Sequence, residues 1–217
     1  MTDPTRLSVR GEAASEVLAD HAHITVQVRR EDVDRELATS AAGEVASAVR
    51  TALDGTGGIR RSTFSRLMVR EVSEWDERTR TNQRRAWEAS LGGTVDAEAD
   101  AVGEVSGLLV EAGAEVLDVG WHVDDSNAVH AQVRRDAVAA AARAAEDFAA
   151  ALGGKLGELV ELADSGLLSQ GPSMQGRAPG MPMAALARGG GLGPVELDPQ
   201  LMTVRAVVEA RYLLADT

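Results

Sequence analysis

The stretch "HAHITVQVRREDVDRELATSAAGEVASAVRTALDGTGG", His21 to Gly58, changes its hydrophobic period once, and that change decides the fold class. In its first part Ala22, Ile24, Val26 and Val28 alternate with His21, His23, Thr25, Gln27 and Arg29. A period of two puts the apolar set on one face of a strand and the polar set on the other. From Val33 the spacing becomes four, through Leu37, Ala41, Val45 and Val49 to Leu53. That is one stripe of a helix, with Asp32 placed to cap it and Gly55, Gly57 and Gly58 to end it.

The same reading extends in both directions. Before this stretch, "RLSVRGE" (Arg6 to Glu12) alternates as a short strand. After it, "STFSRLMVREVSEW" and "NQRRAWEASLGGTVDAEA" read as two long strands joined by the charged "DERTRT", an exposed hairpin tip. On the second of these Trp87, Ala89, Leu91, Gly93 and Val95 share a face, and Gly92-Gly93 predicts a bulge or a close backbone approach. A short helix over about Ala101 to Ala112 leads through Gly113 to a strand carrying Leu117, Val119, Trp121 and Val123. Ser126 then stands as the cap of a long alanine-rich helix. Its expected apolar line is Val129, Val133, Ala137, Ala140, Ala144, Phe148 and Leu152, with Gly153-Gly154 as the stop. "KLGELVELAD" and "QLMTVRAVVEARYLL" read as the last two strands. Between them residues 166–194 are rich in Gly, Pro and Met and lack periodicity, which predicts a long flexible loop.

The predicted order is ββ-α-ββ-α-β-α-ββ. Alternating strands exclude a doubly wound parallel sheet, whose strands would be apolar throughout. The expectation is an α+β fold: antiparallel or mixed sheets packed against a long Ala-rich helix and one or two further helices, with a long protruding hairpin. All of it, residues 1–217, is expected to form a single domain.

Composition narrows the function. Apolar residues make up 44% of the chain, enough for a folded core, but aromatics only 3%, which leaves few bulky anchors for a small-molecule pocket. A net charge of −12 opposes nucleic acid as a partner. With no cysteine, disulfides and thiolate chemistry are excluded. No apolar run matches a signal peptide or a membrane span, so the expected compartment is the cytoplasm.

The succession of segments resembles the SIMPL-domain family. The residues that carry the resemblance are "LSVRGEA", "DHAHITVQV", the helix "ELATSAAGEVASAVRTAL", the strand "IRRSTFSRLMVREV" and "VGEVSGLLVEAGAEVLDVGWHVDD". The strongest part is "AVHAQVRRDAVAAAARAAEDFAAALGGKLGELVELAD", an Ala/Arg-rich helix ending in Leu-Gly before a strand. The resemblance implies an α+β fold and, from some members, assembly into large rings or channel-like oligomers. Members are often exported to the cell envelope, and some are associated with oxidative-stress tolerance. It brings no catalytic residues. This chain departs from the family by its lack of a signal peptide and by Asp-His-Ala-His where exported members tend to show Pro-Asp-x-Ala.

Few residues suggest chemistry. His21 and His23 share a strand face at a spacing that could give two imidazoles to zinc or copper. A third ligand would have to come from His122, His130 or a carboxylate elsewhere, and because two histidines make an incomplete site, a solvated strand face is the preferred reading. Met174, Met181 and Met183 offer soft thioethers for Cu(I), or adaptable packing at a subunit contact. Arginines crowd the hairpin, but Glu71, Glu74, Asp76 and Glu77 among them read as cross-strand salt pairing. Neither "GTGG" nor "GGGLG" has the Lys-Ser/Thr of a phosphate loop. Asp124-Asp125 before Ser126 reads as helix capping. No nucleophile–base pair is legible, so no enzymatic activity and no cofactor are expected. A two-stranded ribbon is unstable alone, so the hairpin should pack on helices or on another subunit, with Trp75, Arg78, Arg80 and Trp87 as interface candidates. The expected protein is a homo-oligomeric scaffold, with a small-molecule or metal (Cu/Zn) binding protein as the alternative.

Overall fold

The computed structural model describes residues 5–168 and 197–215. The elements run β1 (Arg6–Leu18), β2 (His21–Asp32), α1 (Arg35–Leu53), β3 (Ile59–Asp76), β4 (Thr81–Glu98), α2 (Val102–Glu111), β5 (Glu115–His122), α3 (Ala128–Ala151), β6 (Lys155–Asp164) and β7 (Leu201–Ala215). This is the order read from the period changes. The class is α+β, and the described residues form one antiparallel sheet of three strands, one of four, and three helices. The chain forms two compact units, residues 18–124 with 197–202, and residues 5–17 with 125–168 and 203–215.

In the unit built on residues 18–124 the sheet order is β3-β4-β2-β5. β2 pairs with β4 along its whole length, from His21 opposite Glu98 to Asp32 opposite Trp87. Its even-numbered face, Ala22, Ile24, Val26 and Val28, is fully buried beneath α1 and α2, together with Ala89, Val95, Val105 and Leu109. Each Ile or Val buried there contributes about 1.5–3 kcal/mol. α1 buries only the C-terminal part of the predicted stripe, Val49 and Leu53, with Val45 packed beside them. It presents Ala38, Ala42, Ala46, Val49 and Leu53 to the sheet, while Val33 and Leu37 stay exposed. Its cap is Asp34, whose side chain accepts from the Glu36 and Leu37 amides, and Asp32 accepts from the Asp34 amide instead.

One register irregularity falls where glycine signalled it. β3 steps past Ser65 opposite Gly92 and Gly93, and a Cβ on Gly93 would collide with the Thr63 carbonyl and stand 2.9 Å from the Phe64 ring. The pairing of β2 with β5 has another, unheralded by glycine. Thr25 pairs with Asp118 and Val26 with Val116, so Leu117 is skipped and turns outward. Val116 and Trp121 keep the inner face.

In the other unit the order is β1-β7-β6, and α3 packs on it. The buried line of α3 is Val133, Ala137, Ala141, Ala145 and Ala149, against Val9, Ala210 and Tyr212. Phe148 and Leu152, expected to face inward, are exposed. Gly11 explains why alanine is selected. A Cβ there would run into the Ala137 carbonyl oxygen and the Ala141 amide nitrogen, so helix and strand touch backbone to backbone. The cap is Asn127, which accepts from the Val129 amide at 2.9 Å, in place of Ser126. Gly153, at φ +75°, ends the helix as expected.

Candidate functional site

The outward face of β2 carries the residues that the sequence could not place relative to one another. His21 and His23 project from it, and the antiparallel register sets His122 of β5 opposite His21 and Gly120 opposite His23. Three imidazoles thereby meet. Ring centroids are 5.5 Å apart for His21 and His23, 5.4 Å for His21 and His122, and 4.5 Å for His23 and His122. Gly120 leaves room between them: a Cβ on it would stand 3.5 Å from His122 Nε2.

Carboxylates flank the rings. Asp96 on β4 lies opposite His23 in the register, and its Oδ1 contacts His23 Nδ1. His21 Nδ1 is buried and makes no hydrogen bond, yet sits 3.2 Å from an Asp124 oxygen. Two arginines from the start of β3 then tie the acids together. Arg60 donates to both oxygens of Asp124, at 2.7 and 2.9 Å, and to both oxygens of Glu98, at 2.8 and 2.9 Å. Arg61 approaches the second oxygen of Asp96 at 3.3 Å. Hydrogen bonds from Arg60 hold the Asp124 and Glu98 carboxyls below their ordinary range. His122 is also shifted downward, first by burial and then by His23 and His21, with Asp96 opposing. Around the rings three acidic side chains, Asp96, Asp124 and Glu98, thus stand beside two arginines.

Farther along the same face lies an open groove of about 510 Å³, lined among others by Thr25, Gln27, Arg66, Ser90 and Leu117. On its floor the buried Glu88 accepts from Nε and Nη2 of Arg70, at 2.8 and 3.2 Å, with Arg29 at 3.8 Å. That arrangement is a satisfied ion pair on a sheet face.

His130 belongs to the unit that holds α3. Met174, Met181 and Met183, with most of the 166–194 segment, lie outside the described residues. Trp75 is exposed near the end of β3, Arg78 occupies the hairpin turn, and Arg80 adopts φ +53° there. Trp87 is half-buried between Arg35 and Arg84, whose guanidinium carbons lie 5.5 and 5.3 Å from its ring. Arg60, Arg61, Asp96 and Asp124 had no signal in the sequence as members of a site. Only the strand register gathers them. Among the described residues no set of three His, Cys, Asp or Glu side chains is arranged to hold a metal ion as it stands, and no helix is long and apolar enough to cross a membrane.

The sequence was compared with known proteins. The SIMPL family model, described as a protein of unknown function (DUF541), matches residues 7–212, nearly the whole chain. No curated protein matches.

Proposed function

Because the chain belongs to the SIMPL family, whose description assigns no activity, we propose from its own surface that it is a non-enzymatic scaffold that works as a homo-oligomer. The observation that carries this reading is β3. It is 18 residues long and forms one edge of its sheet, so one side of its backbone is left without a strand partner among the described residues. It also exposes Leu67 (54%), Met68 (51%) and Trp75 (56%). A long edge strand with exposed apolar side chains is what natural monomers avoid, by shortening, charging or covering it. A second copy, pairing on that edge, satisfies both the backbone and the apolar groups. The resemblance to family members that assemble supports the same reading, and a contribution to stress tolerance rests on that resemblance alone.

The test is the native mass in solution by size-exclusion chromatography with multi-angle light scattering. A discrete multiple of 22.7 kDa is expected. The double variant Leu67→Lys/Trp75→Lys should shift that mass to the monomer. A single monomer peak for the unaltered protein sinks the reading.

A further inference from the structure

We propose that His21, His23 and His122 form a binding site for one divalent transition-metal ion of the zinc class, coordinated through the three Nε2 atoms. The site is independent of assembly, since all three residues lie in one unit of one chain.

Four observations converge on it. The first is spacing. Three imidazoles around a tetrahedral ion, with metal–nitrogen bonds of about 2.0–2.1 Å, place their ring centroids about 5 Å apart. Here the three separations are 5.5, 5.4 and 4.5 Å. The rings already stand at such separations, and reaching a ligating arrangement takes their rotation about the side-chain bonds.

The second is the division of labour between ring nitrogens. A metal-bound histidine ordinarily presents its other nitrogen to a carboxylate or carbonyl, which fixes the tautomer. His23 meets Asp96 through Nδ1, and His21 has Nδ1 3.2 Å from Asp124. Both are left with Nε2 for an ion. On His122 it is Nε2 that borders the space left by Gly120.

The third is charge. The rings sit among Asp96, Asp124 and Glu98, against Arg60 and Arg61. That leaves an excess of one negative charge for a cation to neutralise. The fourth is the unmet polar atom. A buried imidazole nitrogen without a hydrogen bond, as on His21, is costly and calls for an explanation. An ion on the opposite nitrogen gives one, because it would fix the proton on Nδ1 and direct it to Asp124. Neutral imidazole suits zinc, copper and nickel, and the hard carboxylate-preferring ions poorly.

The experiment uses tag-free full-length protein stripped with a chelator, titrated with Co²⁺ by visible absorption and with Zn²⁺ by calorimetry. One ion per chain is expected, with a tetrahedral Co²⁺ spectrum that Zn²⁺ abolishes. His122→Ala and His23→Ala should each weaken Zn²⁺ binding at least 100-fold. Asp96→Asn should weaken it by about 10- to 100-fold, as loss of a carboxylate behind a ligand does, and His130→Ala should leave it unchanged. His23 is 43% exposed at its side chain, so its variant tests the site even if the half-buried His122 proves intolerant, and far-ultraviolet circular dichroism verifies both folds. Absence of stoichiometric binding, an octahedral Co²⁺ spectrum, or affinity within twofold of the parent in a folded His23→Ala protein would each overturn the proposal.

Discussion

At the scale of single residues, Gly11 and His122 carry the most consequence for their neighbours. A side chain at position 11 must displace the α3 backbone at Ala137 and Ala141, and neither can yield without shifting the helix. Gly11→Ala is therefore expected to destabilise by about 1–3 kcal/mol, the range for overpacked cores, and thermal melting reads it directly. His122 makes stability depend on pH. Its folded pKa lies below its ordinary value of 6.5. Between those two values the unfolded chain binds more protons, so stability rises with pH through that window and is lost as pH falls through it. The groups around it act in both directions: burial, His21 and His23 lower the pKa and Asp96 raises it. His122→Gln should flatten the melting temperature against pH below 6.5. The Arg60-held carboxyls of Asp124 and Glu98, ordinarily at 3.8 and 4.5, are also depressed. Their contribution is present above those values and is lost only in stronger acid, so the two effects separate on the pH axis.

Elements show how much the sequence reveals and where it stops. Strands were legible because alternation needs only one buried face, and β2 buries the face that its spacing marks. Helix faces were legible only to within a residue or so. Reading α1 by its largest apolar groups selects Leu37 and Val45, whereas the sheet accepts Ala38, Ala42 and Ala46. On α3 the same habit selects Phe148, which is 57% exposed. A helix lying close on a sheet is placed by the residues small enough to allow the approach, and hydrophobicity ranks those last. Caps were missed by one or two positions for a related reason, since Asp32, Asp34, Ser126 and Asn127 can all serve and only the chain's entry angle chooses. The choice is measurable. Asn127→Ala should cost about 1 kcal/mol, the usual loss at an N-cap, while Ser126→Ala should cost much less. A larger loss in Ser126→Ala would return the cap to Ser126. The candidate site divides in the same way. The two-residue spacing of His21 and His23 is visible on one strand. Their meeting with His122 and Asp96 depends on the pairing of β2 with β5 and with β4, which joins His21 to a residue about a hundred positions on and His23 to one 73 positions on, and no local pattern encodes that.

For the whole molecule the question is what covers the edge of β3. The protein already limits edge pairing in one way. Arg66, Arg70, Glu71 and Glu74 are exposed along that strand, and charges on an edge discourage indiscriminate association. They do not remove Leu67, Met68 and Trp75 from water. A charged edge with apolar interruptions is selective, able to meet a partner of matching register and poor at meeting others. A second copy in antiparallel orientation supplies that match by symmetry, since an isologous contact sets the same residues against one another twice. If assembly stabilises the fold in this way, the melting temperature must rise with protein concentration, because association draws the native state down by mass action. The expected result is a measurable rise between micromolar and hundred-micromolar protein. The Leu67→Lys/Trp75→Lys variant should melt at one temperature throughout that range. A parent protein equally indifferent to concentration would leave the edge of β3 as surface, whatever its length.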